Sequence, residues 1–211
     1  MRGLGRNFKT ALLTGAAIAV AAFAPAAANA GVLVQTAQSC ADEQLSHPFA
    51  PWLDYASYTP LPGGAFEPGQ QAWTLTGGAK VVSGNETYRV RSYGDTRSLS
   101  IPQGATATSP SICVGLNEPT LRYFAKQAGS LLGITGAMKV DVLFEDSLGS
   151  VVSAPIGAAA LSTTWQPSLP AVVTANLLPL LPGQMTAVAF RFTALTGSWQ
   201  IDDAYVDPMF R

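Results

Sequence analysis

Residues 197–208 read GSWQIDDAYVDP, and the parity of this stretch decides how the chain folds. In a β-strand, alternate side chains face opposite sides. Trp199 and Ile201 fall on one parity. Ala204 and Val206 fall on the other, although they suit a core equally well. Asp202 and Asp203 stand where the parity changes. A β-bulge inserts one extra residue opposite the partner strand and turns over the side chains that follow. A bulge at Asp202–Asp203 therefore keeps all four apolar residues inside. It also sets two carboxylates beside backbone whose carbonyls turn outward, and hard cations such as calcium take that mix of oxygens. The other reading of the pair is a solvated strand end, where acidic residues discourage edge pairing.

Working outward from this strand, the pattern stays β. TAVAFRFTA (186–194) alternates Val188, Phe190 and Phe192 with Ala189, Arg191 and Thr193. MKVDVLFED (138–146) sets Met138, Val140, Val142 and Phe144 against Lys139, Asp141 and Glu145, with Leu143 as the exception. Period-two alternation of this length marks half-buried antiparallel strands. Between residues 65 and 115, short segments (AFE, AWTLT, AKVVS, TYRVRS, SLSIP, ATATS, SICVG) are cut by Gly, Pro, Asn and Ser. Such spacing indicates an all-β antiparallel sandwich. The strands at 184–194 and 198–207 are expected to be neighbours or nearly so. Helix signals are few, because prolines interrupt 162–182.

The first thirty residues read differently. Arg2, Arg6 and Lys9 precede an apolar run that breaks at Pro25 and ends in Ala28-Asn29-Ala30. Basic start, apolar middle and small-x-small exit describe a secretory signal peptide cleaved after Ala30. The run before Pro25 is shorter than the roughly 20 residues of a membrane span, so no span is expected in the mature chain. The expected location is extracellular or in the cell envelope. Residues 31–62 carry prolines at 48, 51, 60 and 62 and form an irregular arm packed on the domain, with Phe49, Trp52, Leu53 and Tyr55 as its buried anchors. Residues 63–211 form the sandwich. Of the two cysteines, Cys40 lies in the arm and Cys113 in a strand segment. In an exported chain such an isolated pair forms one disulfide.

Composition excludes several functions. Charged residues make up 12% of the chain and the net charge is −1, against roughly 25% charged in average proteins. Removing the leader removes basic residues only. No basic patch invites nucleic acid. A single histidine, His47, and the lack of CxxC spacing leave no ordinary zinc site. Neither a nucleophile elbow nor a phosphate loop is present. Asp141 and Glu145 lie on one strand face, where paired carboxylates are more often solvated than catalytic, so the chain is not expected to be an enzyme. The Asn85–Thr87 triplet matches a glycosylation acceptor, a pattern too common to carry weight.

Two segments carry a resemblance. GGAFEPGQQAWTLTGGAKVVSG (63–84) resembles the opening of galactose-binding-like jelly-roll domains, which include many carbohydrate-binding modules. WQIDDAYVDP (199–208) is similar to their closing strand, commonly W-x-I-D-D-V. In that fold the two ends pair. The resemblance implies a jelly roll with a structural calcium held by Glu67, after the Phe, and by Asp202, with Asp203 as a further candidate. Ala65 and Ala204 depart from the usual Gly and Val without removing a ligand side chain. The chain as a whole also resembles a group of secreted bacterial proteins, a likeness that brings no activity with it.

For ligand binding, aromatic rings with hydrogen-bonding neighbours are the groups sought. Tyr88, Arg89, Arg91 and Tyr93 are one such set, and Arg122 belongs to another strand. The sequence thus points to a secreted, non-catalytic binding domain for a carbohydrate or another cell-surface polymer. The alternative is a structural or adhesive envelope protein with a protein partner.

Overall fold

The computed structural model describes residue 33 and residues 44–115, 120–128, 136–146, 148–159, 162–173 and 185–207. The signal segment 1–30 and Cys40 lie outside the described residues. So does any pairing of Cys40 with Cys113, which is itself buried.

Two antiparallel sheets face each other. The seven-stranded sheet runs β10 (Gln166–Pro167), β7 (Thr120–Ala128), β13 (Ser198–Asp207), β4 (Arg97–Ile101), β3 (Lys80–Ser83). In addition, β1 (Thr59–Pro60) pairs with β13 and β11 (Ala171–Val172) pairs with β7. The six-stranded sheet runs β2 (Thr74–Thr76), β5 (Thr106–Thr108), β12 (Met185–Thr196), β8 (Ala137–Glu145), β9 (Val151–Ala158), with β6 (Ile112–Gly115) on β12. The chain crosses repeatedly from one sheet to the other, as the jelly-roll sandwich requires. Helix among the described residues is confined to residue 33 and a 3₁₀ turn at Ala50–Trp52.

The alternation read from the sequence makes the core. Val188, Phe190 and Phe192 of β12 and Met138, Val140 and Val142 of β8 point inward at Leu121 and Tyr123 of β7. Across the gap Tyr123 meets Phe192 edge to face, 5.0 Å between centroids, a geometry that aromatic quadrupoles favour. Trp199, Ile201, Ala204 and Val206 of β13 all join the same core. The register shows how. Asp202 stands opposite Phe124 and Tyr205 opposite Arg122, so two residues of β13 fill the interval of one on β7. The bulge lies at Asp203 and Ala204, and Asp203 takes the left-handed conformation (φ 41°).

β12 and β13 are not neighbours, contrary to the expectation from sequence. The chain turns at Gly197 (φ 67°), and β12 enters one sheet while β13 enters the middle of the other. A side chain at a positive φ is strained, which makes glycine the residue for this corner. Two short segments, 65–67 and 87–92, are also not strands.

A second apolar cluster covers the outer face of the seven-stranded sheet. Phe49 and Tyr58 of the arm pack on Phe124, Trp165 and Tyr205. Phe49 stacks on Phe124 at 5.3 Å and meets Tyr58 edge-on at 4.8 Å. Trp52 is only partly buried, while Leu53 and Tyr55 are 80% and 70% exposed. The sequence misassigned these two as anchors because the turn at Ala50–Trp52 ends with Leu53 in the left-handed conformation (φ 63°) and directs the next residues outward. On the opposite sheet, the backbone N–H of Leu33 donates to Glu145 (2.5 Å).

Candidate functional site

The segment 85–95 is a loop built around one carboxylate. Glu86 is buried, and its side chain accepts the backbone N–H groups of Tyr88 and Val90 (2.8 Å for the latter). Its own N–H donates to Asp202 Oδ2 (2.8 Å). A side chain that gathers nearby backbone donors competes with strand pairing, which explains why TYRVRS does not become a strand. The loop is also latched from outside: Arg89 (φ 54°) donates from its guanidinium to the Tyr93 carbonyl (2.5 Å). Tyr93 is left 84% exposed, with Arg91 exposed beside it. Tyr88 is 43% exposed. Its ring meets Trp52 edge to face at 4.7 Å, and its hydroxyl donates to the Trp165 carbonyl (3.1 Å). Four of the expected ligand residues, Tyr88, Arg89, Arg91 and Tyr93, therefore share one braced loop.

Arg122 does not join them. It is buried beneath the arm, forms an ion pair with Asp54, and donates twice to the Ser168 carbonyl (2.8 and 3.1 Å). Its guanidinium lies 4.0 Å from the centre of the Phe49 ring. Its position on the outer face of β7 suggested surface exposure; the arm that covers it removes it from solvent. Arg122 is a strut: each of its guanidinium nitrogens donates within the protein.

Behind the loop lies the acidic pair Asp202–Asp203. Asp202 and Asp203 are 0% and 2% exposed, so they are not a solvated strand end. Asp202 accepts N–H groups from Glu86 and from Asp203 (2.9 Å). Both carboxylate oxygens of Asp203 are buried without any hydrogen-bond partner. Burial, and next the charge of Asp203, hold the Asp202 carboxyl far above the usual carboxylate range. Burial, then Glu86, Asp95 and Glu67, raise Asp203 against the partial relief of Arg91. Buried charges of one sign without compensation are costly. Glu67 sits at the edge of this cluster, where its Oε1 accepts the N–H groups of Thr96 (2.5 Å) and Arg97 (2.8 Å).

Of the three expected metal residues, Asp203 and Glu67 thus feel each other, while Asp202 is tied to Glu86. Sequence reasoning missed Glu86 and Asp95. Glu86 lay inside the triplet set aside as a chance match, and no spacing rule links it to residue 202. Among the described residues, no three His, Cys, Asp or Glu side chains form a ready cage for an ion. What stands there is a set of buried acceptors lacking donors: both oxygens of Asp203, Oδ2 of Asp95 and Oδ1 of Asn85. That donor-poor oxygen chemistry fits a hard cation.

No protein family matches this sequence, and no curated protein is similar to it. Among solved structures, the chain is similar to the CBM22-1 xylan-binding domain from Paenibacillus barcinonensis Xyn10C. The identity is 14% over 74% of this chain and 97% of that one, with a TM-score of 0.46. A family 6 carbohydrate-binding module is 11% identical over 64% of this chain and 86% of its own (TM-score 0.39). The enzymatically active domain of bacteriophage CBA120 tailspike protein 4 is 23% identical over 68% of this chain and 20% of its own (TM-score 0.40). The fold assignment rests on the strand pairing of this chain itself: it is an antiparallel jelly-roll sandwich.

Proposed function

We propose that the protein is a secreted, non-catalytic domain that binds a carbohydrate or a related cell-surface polymer through the 85–95 loop. The observation that carries this reading is the latch on that loop. Glu86 from within and Arg89 from without hold the backbone that presents the almost fully exposed Tyr93, with Arg91 beside it and Tyr88 braced on Trp52. A loop backbone fixed before binding, and the Tyr88 ring already braced, lose little conformational entropy when a ligand arrives. Flat aromatic rings flanked by hydrogen-bonding groups suit the C–H faces and hydroxyl edges of sugars.

The carboxylates do not suggest hydrolysis. Asp202 and Asp203 are buried, and Asp141 is capped by Lys139 (2.8 Å). A pair for acid–base work must flank a substrate. We assign Asp203 and its neighbours to a structural cation, calcium by its oxygen preference, which would relieve the like charges behind the loop. Among the described residues, no helix is long and apolar enough to cross a membrane.

The test is a glycan array probed with the purified protein and with Tyr93→Ala. Binding to one class of glycan should weaken at least tenfold in the variant, while its melting temperature stays that of the parent. An array without signal refutes the reading. Capture of a protein partner through the same loop would put an adhesive role in its place.

A further inference from the structure

The two sheets part along one side. β2 and β3 are the outermost strands of their sheets on that side, and the turn at Gly77–Gly78 joins them. Between them, closed at one end by residues 66–73, lies a cleft of about 240 Å³. Its floor is apolar, made by Trp73, Leu75, Val81 and Leu99, and its rim carries Glu67, Gln70, Gln71 and Arg97. The Trp73 ring is fixed, since its indole N–H donates to the Pro62 carbonyl (3.1 Å). A second cavity of about 300 Å³ adjoins the first and shares Gly63, Gln70 and Gln71 with it. Arg91 of the 85–95 loop lines this second cavity. Gly63 stands at the junction, where a Cβ would come within 2.0 Å of the Gln71 carbonyl oxygen. Glycine therefore keeps the two segments in contact at this point. Together the two cavities reach the size range of small-molecule sites, roughly 300–1,000 Å³.

The cleft has unspent hydrogen-bonding capacity of both kinds. Gln70 Oε1 is buried without a partner. Arg97 makes no ion pair among the described residues. An acceptor that needs a donor, a donor that needs an acceptor and an apolar floor are together met by a pyranose ring. Its hydroxyls serve both roles, and its C–H face covers the floor. Glu67 on the rim and the acid cluster behind Arg91 disfavour an anion.

We infer that the cleft between β2 and β3 is a subsite for one neutral sugar ring. It is joined past Gln70–Gln71 and Arg91 to the Tyr93 loop, so that the occupant is a neutral glycan chain and not a single sugar. This inference rests on the glycan-binding reading and adds to it the place, the charge and the length of the ligand.

The test is nitrogen-15 NMR of the purified protein with cello-, xylo- and manno-hexaose, their monosaccharides, and a galacturonate hexamer. One neutral hexaose should shift the side-chain amide signals of Gln70 and Gln71 together with the backbone signal of Tyr93. The matching monosaccharide should bind at least tenfold more weakly. Arg97→Ala, which removes an exposed side chain and keeps the backbone N–H that Glu67 accepts, should weaken the hexaose at least tenfold without moving the melting temperature. If the hexaose shifts only residues 85–95, or Arg97→Ala leaves its affinity unchanged, the subsite is refuted while the glycan reading stands. Tighter binding of the galacturonate hexamer refutes the neutral assignment. Silence toward every sugar, matched by an empty array, overturns the subsite and the glycan reading together.

Discussion

Replacing Asp203 by asparagine separates a cation site from a mere buried acid. Both carboxylate oxygens of Asp203 lack donors, and Glu86, Asp95 and Glu67 add like charge. Asparagine keeps the shape and accepts the left-handed conformation about as readily as aspartate. It removes the charge and offers an amide that can donate to the surrounding carboxylates. An unsatisfied buried polar group costs about 1–3 kcal/mol, and more when charged. In chelator at pH 7.5, Asp203→Asn should therefore be more stable than the parent by about 1–3 kcal/mol. For a domain of this size each kcal/mol moves the melting temperature by about 2–4 °C. The sign with pH follows from the raised folded-state pKa. The stability contributed by this pair is fully present below the ordinary carboxylate range and is lost as pH rises through the elevated values of Asp202 and Asp203. Asparagine at 203 removes its share of that slope. Calcium at 100 times its dissociation constant should add about 2.7 kcal/mol to the parent and close or reverse the gap to the variant. The assay is thermal denaturation of both proteins, in chelator and in calcium, from pH 5 to pH 8. The reasoning fails if the variant is the less stable protein in chelator, or if both respond equally to calcium.

Other outcomes follow from the same structure. Phe49→Ala should cost about 3–5 kcal/mol in denaturant unfolding, as large truncations in a core do, whereas Tyr55→Ala should stay within about 0.5 kcal/mol because that ring faces water. Arg122→Ala should destabilise by about 1–3 kcal/mol, since it leaves the Ser168 carbonyl beneath the arm without its donors and takes a partner from Asp54, and a stable variant with altered glycan binding would contradict the strut. Intact-mass analysis after alkylation should find no free thiol. Reduction of the bridge expected between Cys40 and Cys113 should cost about 4 kcal/mol, the chain-entropy value for a loop of this length.

The bulge was legible in the sequence because parity is a strict property of strands: only a shift at Asp202–Asp203 buries Trp199 and Val206 together. The inward faces of β8 and β12 were legible for the same reason. The loop at 85–95 was not, because its shape comes from Glu86 collecting backbone donors, and alternation along TYRVRS carries no trace of that. Arg122 was misread because a residue on the outer face of a sheet is exposed only if nothing crosses over it, and the arm does. Glu86 and Asp95 joined the acid cluster through loop geometry, where distance along the chain says little about distance in space.

β13 pairs on one side with β7 and on the other with β4, and this placement governs the order in which the molecule can be made. A chain leaving the ribosome from its N-terminus presents β4 and β7 long before residues 198–207 emerge. Until then those two strands have no common neighbour, β1 has no partner strand, and the seven-stranded sheet is in three pieces with open edges. The 85–95 loop is equally incomplete, because the Asp202 carboxylate that receives the Glu86 N–H arrives with the same strand. Nascent material therefore holds neither a finished sheet nor a finished binding loop, and it stays in a state that can still be threaded or degraded. A ribosome-stalled or protease-clipped product ending before residue 198 should be captured by chaperones as an unfolded chain, even though it carries nearly all of the aromatic residues of the final core.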